Sequence, residues 1–166
     1  MTPETLVLTK LGLRFAGRLF PCSIGKGGIK ADKREGDGAT PVGKHRIVGM
    51  YYRPDRVTPP QPWAVPIGPR DLWSDASGQP DYNHHVQAPY SFSCEQLRRA
   101  DPLYDIVLIT DWNWPDARAG KGSAIFLHQW RRAGYGTEGC IAFRRDHLRW
   151  IAERVSLGSE LIVREG

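Results

Sequence analysis

No stretch of this sequence is apolar over the roughly 18 residues that a membrane-crossing helix requires, and the opening MTPETLVLTK lacks the basic-then-apolar order of a secretory leader. Cysteine is scarce: Cys22, Cys94 and Cys140 form an odd set with no CxxC pair, which excludes the familiar zinc-site patterns and leaves at least one thiol free. A bridge between Cys22 and Cys94 stays open at this stage. A phosphate loop is missing, because Lys26 is followed by Gly27 and Gly28 rather than by Ser or Thr and a helix. Repeats and low-complexity tracts are absent.

What the chain does have is a core and many turns. Its 166 residues are 40% hydrophobic, with six Trp, six Tyr and five Phe, enough apolar side chain to offset the entropy of ordering one domain, taken as residues 1–166. Eighteen Gly and thirteen Pro favour short strands and turns over a helical bundle. Lys and Arg total 23 against 18 Asp and Glu, a surplus that attracts acidic polymers or serves solubility.

Residues 5–20 alternate apolar and polar positions around Gly12 and read as a hairpin. A Gly-rich charged loop follows, closed by Thr40-Pro41, then a strand near residues 45–52. Residues 54–89 hold eight prolines and little periodicity, which predicts a long ordered loop of the kind that carries binding surfaces. Residues 91–100 read as a short helix with Ser93 as N-cap and Gln96 completing a capping box. YDIVLIT at 104–110 and SAIFLH at 123–128 are continuous apolar runs typical of central buried strands. After Cys140, Leu148, Ile151, Ala152 and Val155 fall on one helical face, Gly158 stops that helix, and ELIVRE ends the chain's regular structure as a strand. The expected fold is mixed and β-rich, mainly β with one or two helices.

His128 ends one of the buried strands, and Cys140 lies twelve residues later at the end of Thr137-Glu138-Gly139-Cys140, so a loop can return thiol to imidazole. A free thiol with a pKa of about 8.5 is only a few per cent thiolate at pH 7, so a nucleophilic cysteine needs such a neighbour. Gly139 lets substrate approach the backbone, and the amides of Gly139 and Cys140 suit an oxyanion. The same features taken singly also fit a small buried cysteine and a satisfied strand-end histidine.

The ordered set FLHQWRRAGYGTEGCIAF, KREGDGATPVGKHRI at 33–47 and YNHHVQAPYSFSCEQLRRADPLYDIVLITDWN resembles the L,D-transpeptidase catalytic domain (YkuD-like) family, in its compact proteobacterial branch. The resemblance implies a curved β-sheet or sandwich with Cys140 as nucleophile, His128 as general base held through the backbone carbonyl of Gln129, and Thr137 lining the site. It implies peptidoglycan stem peptides as substrates, a diaminopimelate amine as acceptor, no cofactor and no metal, and a periplasmic location, although no leader is visible. The sequence departs from the family pattern at Glu138, where many members have a second His, and at Ala142, where many have Arg. Glu138 would oppose a thiolate unless it points away or binds a cationic substrate group. Lys33, Arg34, Trp73, Asn83 and His84 are candidates for holding stem-peptide carboxylates and sugars. Trimming of stem peptides by water, an L,D-carboxypeptidase activity, uses the same residues. A non-catalytic module binding a polyanion such as nucleic acid through Arg131, Arg132, Arg144, Arg145 and Arg149 is the more distant alternative, since nothing supplies a stacking platform or reading helix.

Overall fold

The structure, a computed structural model, describes residues 4–165; residues 1–3 and 166, included in the single-domain reading, lie outside the described residues. The predicted hairpin is present as β1 (Leu6–Thr9) and β2 (Gly12–Phe15), extended by β3 (Arg18–Phe20) and the short β4 (Cys22–Ser23). Gly12 is required at its turn: φ is +129° and a Cβ there would lie 2.3 Å from the Phe20 carbonyl oxygen. Next come β5 (Ile29–Lys30), β6 (Thr40–Pro41) and the long β7 (Gly43–Tyr52).

The proline-rich stretch is not a plain loop. It contains β8 (Val65–Pro66), β9 (Asp71–Ser74) and β10 (His85–Gln87), and the segment expected as a helix at 91–100 instead forms β11 (Cys94–Gln96), antiparallel to β9 with Glu95 opposite Trp73. A ten-residue helix is marginal in isolation, whereas pairing with β9 satisfies the backbone at once. Then follow β12 (Ile106–Thr110), β13 (Phe126–Gln129), β14 (Ile141–Phe143), α1 (Arg145–Ala152) and β15 (Glu160–Val163). The helix ends at Ala152, well before the Gly158 expected to stop it, and β14 stands between Cys140 and α1.

One curved sheet runs in the order β3-β2-β1-β15-β7-β12-β13-β14-β4, with β8 added along β7. Both faces of its centre are covered, which is why the apolar runs of β12 and β13 do not alternate with polar residues. Ile106, Leu108 and Leu127 face one cluster with Leu148, Ile151 and Ala152 of α1. Val107, Ile109 and Phe126 face the other with Trp73, Leu97, Tyr104 and Cys140. The small sheet β10-β9-β11 roofs that second face. Each fully buried Leu, Ile or Phe contributes about 1.5–3 kcal/mol of transfer free energy, so the two clusters hold β13 and β14 rigidly.

Candidate active site

Parallel pairing of β13 with β14 sets His128 opposite Ala142 and Leu127 opposite Ile141. Cys140 is two residues before Ala142 and therefore shares the face of Ala142 and His128. Both groups line one cavity of about 480 Å³. Cys140 is 8% exposed and His128 6%. The His128 Nδ1–H donates to the backbone carbonyl of Gln129 at 2.7 Å, which fixes the tautomer and leaves Nε2 as the proton acceptor. The edge of the Tyr104 ring supports the imidazole, with ring centroids 5.3 Å apart.

At rest the thiol is held by the strand beside it. Cys140 Sγ donates to the Ala124 carbonyl at 3.1 Å and accepts from the Phe126 N–H at 3.4 Å. Ala124 has φ +53°, a left-handed conformation costly for a residue with a Cβ. Asn83 stabilises it: its Oδ1 accepts the Ala124 N–H at 2.9 Å and the Trp73 Nε1–H at 3.0 Å. Burial pushes the Cys140 thiol up from 9.0 to about 12, reinforced by the nearby Glu95 charge and opposed by the Phe126 N–H. Burial pushes His128 down from 6.5 to about 4, against the Gln129 hydrogen bond that favours its charged form. Both shifts favour the neutral forms, thiol and imidazole.

The loop before Cys140 is clamped from two sides. Thr137 Oγ1 donates to the Cys140 carbonyl at 2.6 Å and accepts the Gly139 N–H at 3.1 Å, so the Gly139 amide is engaged in this state. Thr40 Oγ1 donates to the Gly139 carbonyl at 2.8 Å. Gly139 has φ +139°, and a Cβ there would lie 2.7 Å from the Ala39 carbonyl oxygen, so no other residue fits without displacement.

Of the residues singled out from sequence, the structure gathers Cys140, His128 and Thr137 around the cavity, with Glu138 on its rim. Glu138 points outward and pairs with Lys26 Nζ at 2.5 Å, both side chains being largely exposed. The other candidates lie elsewhere. Arg34 is exposed and pairs with Asp32 at 3.2 Å, and Lys33 is buried against Asp37 at 2.6 Å. Trp73 and Asn83 are packed in the interior, and Asn83 spends its amide donors on the carbonyls of Trp112 and Asn113. The His84 ring lies tilted beside Trp114 with centroids 6.1 Å apart and lines a separate groove. Sequence reasoning missed Glu95, Tyr104, Glu35, Asp75 and Arg99, all of which line the same cavity. They come from separate stretches of the chain that only the fold brings together, so no local pattern marks them.

The cysteines are all free thiols, so Cys22 and Cys94 do not bridge. Among the described residues no helix is long and apolar enough to cross a membrane, and no three His, Cys, Asp or Glu side chains gather as a metal site.

The sequence model of the L,D-transpeptidase catalytic domain family (YkuD) matches residues 5–163. No curated protein matches the chain. Among solved structures, an L,D-transpeptidase from Mycobacterium smegmatis is similar at 16% identity and a TM-score of 0.48, over 97% of this chain and 58% of that one. The chain thus spans little more than half the length of that relative.

Proposed function

Since this chain belongs to the L,D-transpeptidase catalytic domain family, we propose that it cross-links peptidoglycan stem peptides through a thioester on Cys140. The observation that carries the reading is the shared face of Cys140 and His128 in one cavity, with His128 Nδ1 tied to Gln129 and Nε2 free to take a proton.

The reaction follows from these groups. Rotation of the Cys140 side chain away from Ala124 brings the S–H to His128 Nε2, which accepts the proton as sulfur attacks the donor carbonyl. Charge develops on the carbonyl oxygen, and the Cys140 amide is the donor we assign to it. His128 then gives its proton to the departing amine and the thioester remains. In the second half, an acceptor amine attacks the thioester, His128 takes the amine proton, and the thiol leaves. The energy of the cleaved amide is conserved in the thioester, so cross-linking needs no ATP. A diaminopimelate side chain fits the acceptor role, and such chemistry belongs outside the cytoplasmic membrane, where the wall lies.

The test incubates the protein and its Cys140→Ala form with purified muropeptides and reads the products by mass. Dimers from the wild type alone are expected, and their masses assign the donor position. Loss of a terminal residue without dimers would make the protein an L,D-carboxypeptidase, with water in the acceptor's place. Unchanged substrate with both proteins would refute the reading.

A further inference from the structure

Three backbone segments meet behind Cys140, and the side chain between them is Thr40 of β6. It is fully buried, and its Oγ1 bridges two of the chains: it accepts the Gly25 N–H at 2.9 Å and donates to the Gly139 carbonyl at 2.8 Å. A hydroxyl has a single proton, so with the Gly25 N–H as its donor that proton is committed to the Gly139 carbonyl. The approach is close enough to need glycine. A Cβ on Gly25 would lie 2.2 Å from the Gly38 carbonyl oxygen and 3.0 Å from the Gly139 Cα. Both partners of Oγ1 are buried with it, so removing the hydroxyl leaves an N–H and a carbonyl unsatisfied.

The bond to Gly139 fixes the direction of the next amide. In a trans peptide the C=O and the N–H that follows it point opposite ways, so a carbonyl drawn to Thr40 turns the Cys140 N–H to the other side. Cys140 and Thr137 line the cavity and Thr40 does not, so the side away from Thr40 is the cavity side. The neighbouring amide is already engaged, since Thr137 Oγ1 accepts the Gly139 N–H at 3.1 Å. Among the described residues the Cys140 N–H donates no hydrogen bond within the protein. We propose that Thr40 is a positioning residue, which aims the Cys140 amide at the oxyanion by holding the carbonyl on the other side of the same peptide. This rests on the thioester reading above and adds the side chain that sets the direction of its backbone donor. Without Oγ1, the glycine before this peptide lets it turn about its flanking bonds, and the amide leaves the direction in which charge develops.

The test sets wild type beside Thr40→Val, which keeps the branched shape and loses the hydroxyl, and Thr40→Ser, which keeps the hydroxyl. On muropeptides Thr40→Val is expected to lower kcat by roughly tenfold to a hundredfold with KM within about threefold, less than deleting an oxyanion donor because the amide is still present. Thr40→Ser is expected to hold kcat within about threefold of wild type. Alkylation of Cys140 by iodoacetamide at pH 9 supplies the contrast. Displacement at a saturated carbon builds no oxyanion, so Thr40→Val should label Cys140 within about twofold of wild type. A loosened or partly unfolded site would change labelling together with turnover. Thermal unfolding is read on each variant. Should Thr40→Val not fold, Thr40→Cys, a weaker donor of nearly the same volume, is expected to give the same split with kcat down roughly threefold to tenfold, peptide mapping keeping the two thiols apart. A folded Thr40→Val or Thr40→Cys with wild-type kcat, a Thr40→Ser as impaired as the valine variant, or labelling that falls in step with turnover overturns the inference and leaves the transfer reaction standing. If wild type leaves muropeptides unchanged, the functional reading fails and this inference fails with it.

Discussion

The burial of the Cys140 thiol makes a quantitative prediction for the pH dependence of its alkylation. An ordinary thiol with a pKa of 9.0 is about one-tenth ionised at pH 8, whereas a thiol pushed up to about 12 is ionised in about one molecule in ten thousand. The thiolate fraction is therefore about a thousandfold smaller. A more basic thiolate is also a better nucleophile, and a Brønsted coefficient of about 0.45 over three units returns a factor of about 20. The net expectation is alkylation about fiftyfold slower than for an exposed cysteine, before any loss from restricted access. Restricted access lowers the rate at every pH alike, so the slope is the safer readout: the logarithm of the rate should rise by one per pH unit from pH 7 to 10 with no plateau. Iodoacetamide labelling followed by peptide mapping assigns the rate to Cys140 rather than to Cys22 or Cys94. A thiolate–imidazolium pair formed in the free enzyme would instead give a rate already flat at pH 7. Such a plateau, or an inflection below pH 9, would refute the argument that burial and the Glu95 charge govern this thiol.

Two further outcomes follow from the same site. His128 has its pKa lowered to about 4 in the fold, so between pH 6.5 and 4 the unfolded chain binds a proton that the native imidazole refuses, and stability falls as pH falls through that window, by about 3 kcal/mol from this residue. Denaturant unfolding at pH 7 and 4.5 should show this loss and should show less of it in His128→Gln; His45, also lowered by burial, adds a part that the variant keeps, and Glu95, raised by burial, acts in the opposite sense in both proteins. Gly139→Ala forces a Cβ to within 2.7 Å of the Ala39 carbonyl oxygen at a left-handed φ, and should cost about 2–4 kcal/mol in stability with at least a tenfold loss in turnover; wild-type turnover from a well-folded variant would refute the close approach.

The parts of this molecule that could be read in the sequence are those whose signal is local. The runs at 104–110 and 123–128 became β12 and β13 because both faces of the sheet are buried there, and a strand covered on both sides leaves a continuous apolar record. The nearness of His128 and Cys140 was legible for the same reason: a strand end and a glycine-led loop are short-range features, and parallel pairing of β13 with β14 sets both residues on one face, whatever their roles. Glu95 left no such record. Its place depends on β11 pairing with β9 some twenty residues earlier, and a helical reading of 91–100 hides that contact, because helical spacing turns successive residues to different sides. Trp73 and Asn83 misled in the opposite direction. An aromatic and an amide in a proline-rich stretch look like a binding surface, yet here they are buried beneath the roof and support Ala124, the residue whose carbonyl holds the thiol.

That support bears on the nucleophile role we propose for Cys140, whose thiol is buried and poorly ionised. Three contacts hold the thiol, or the carbonyl that holds it, and all come from residues outside the proposed reaction: the Ala124 carbonyl, the Phe126 amide and, one step behind, Asn83. Each is weak beside the desolvation that keeps the proton on sulfur. The thiol is thus protected from adventitious alkylation and oxidation, both of which require thiolate. In the reaction we propose, attack demands that the side chain leave Ala124, while the Tyr104 ring, whose hydroxyl is held by Glu95, keeps the His128 imidazole in place to receive the proton.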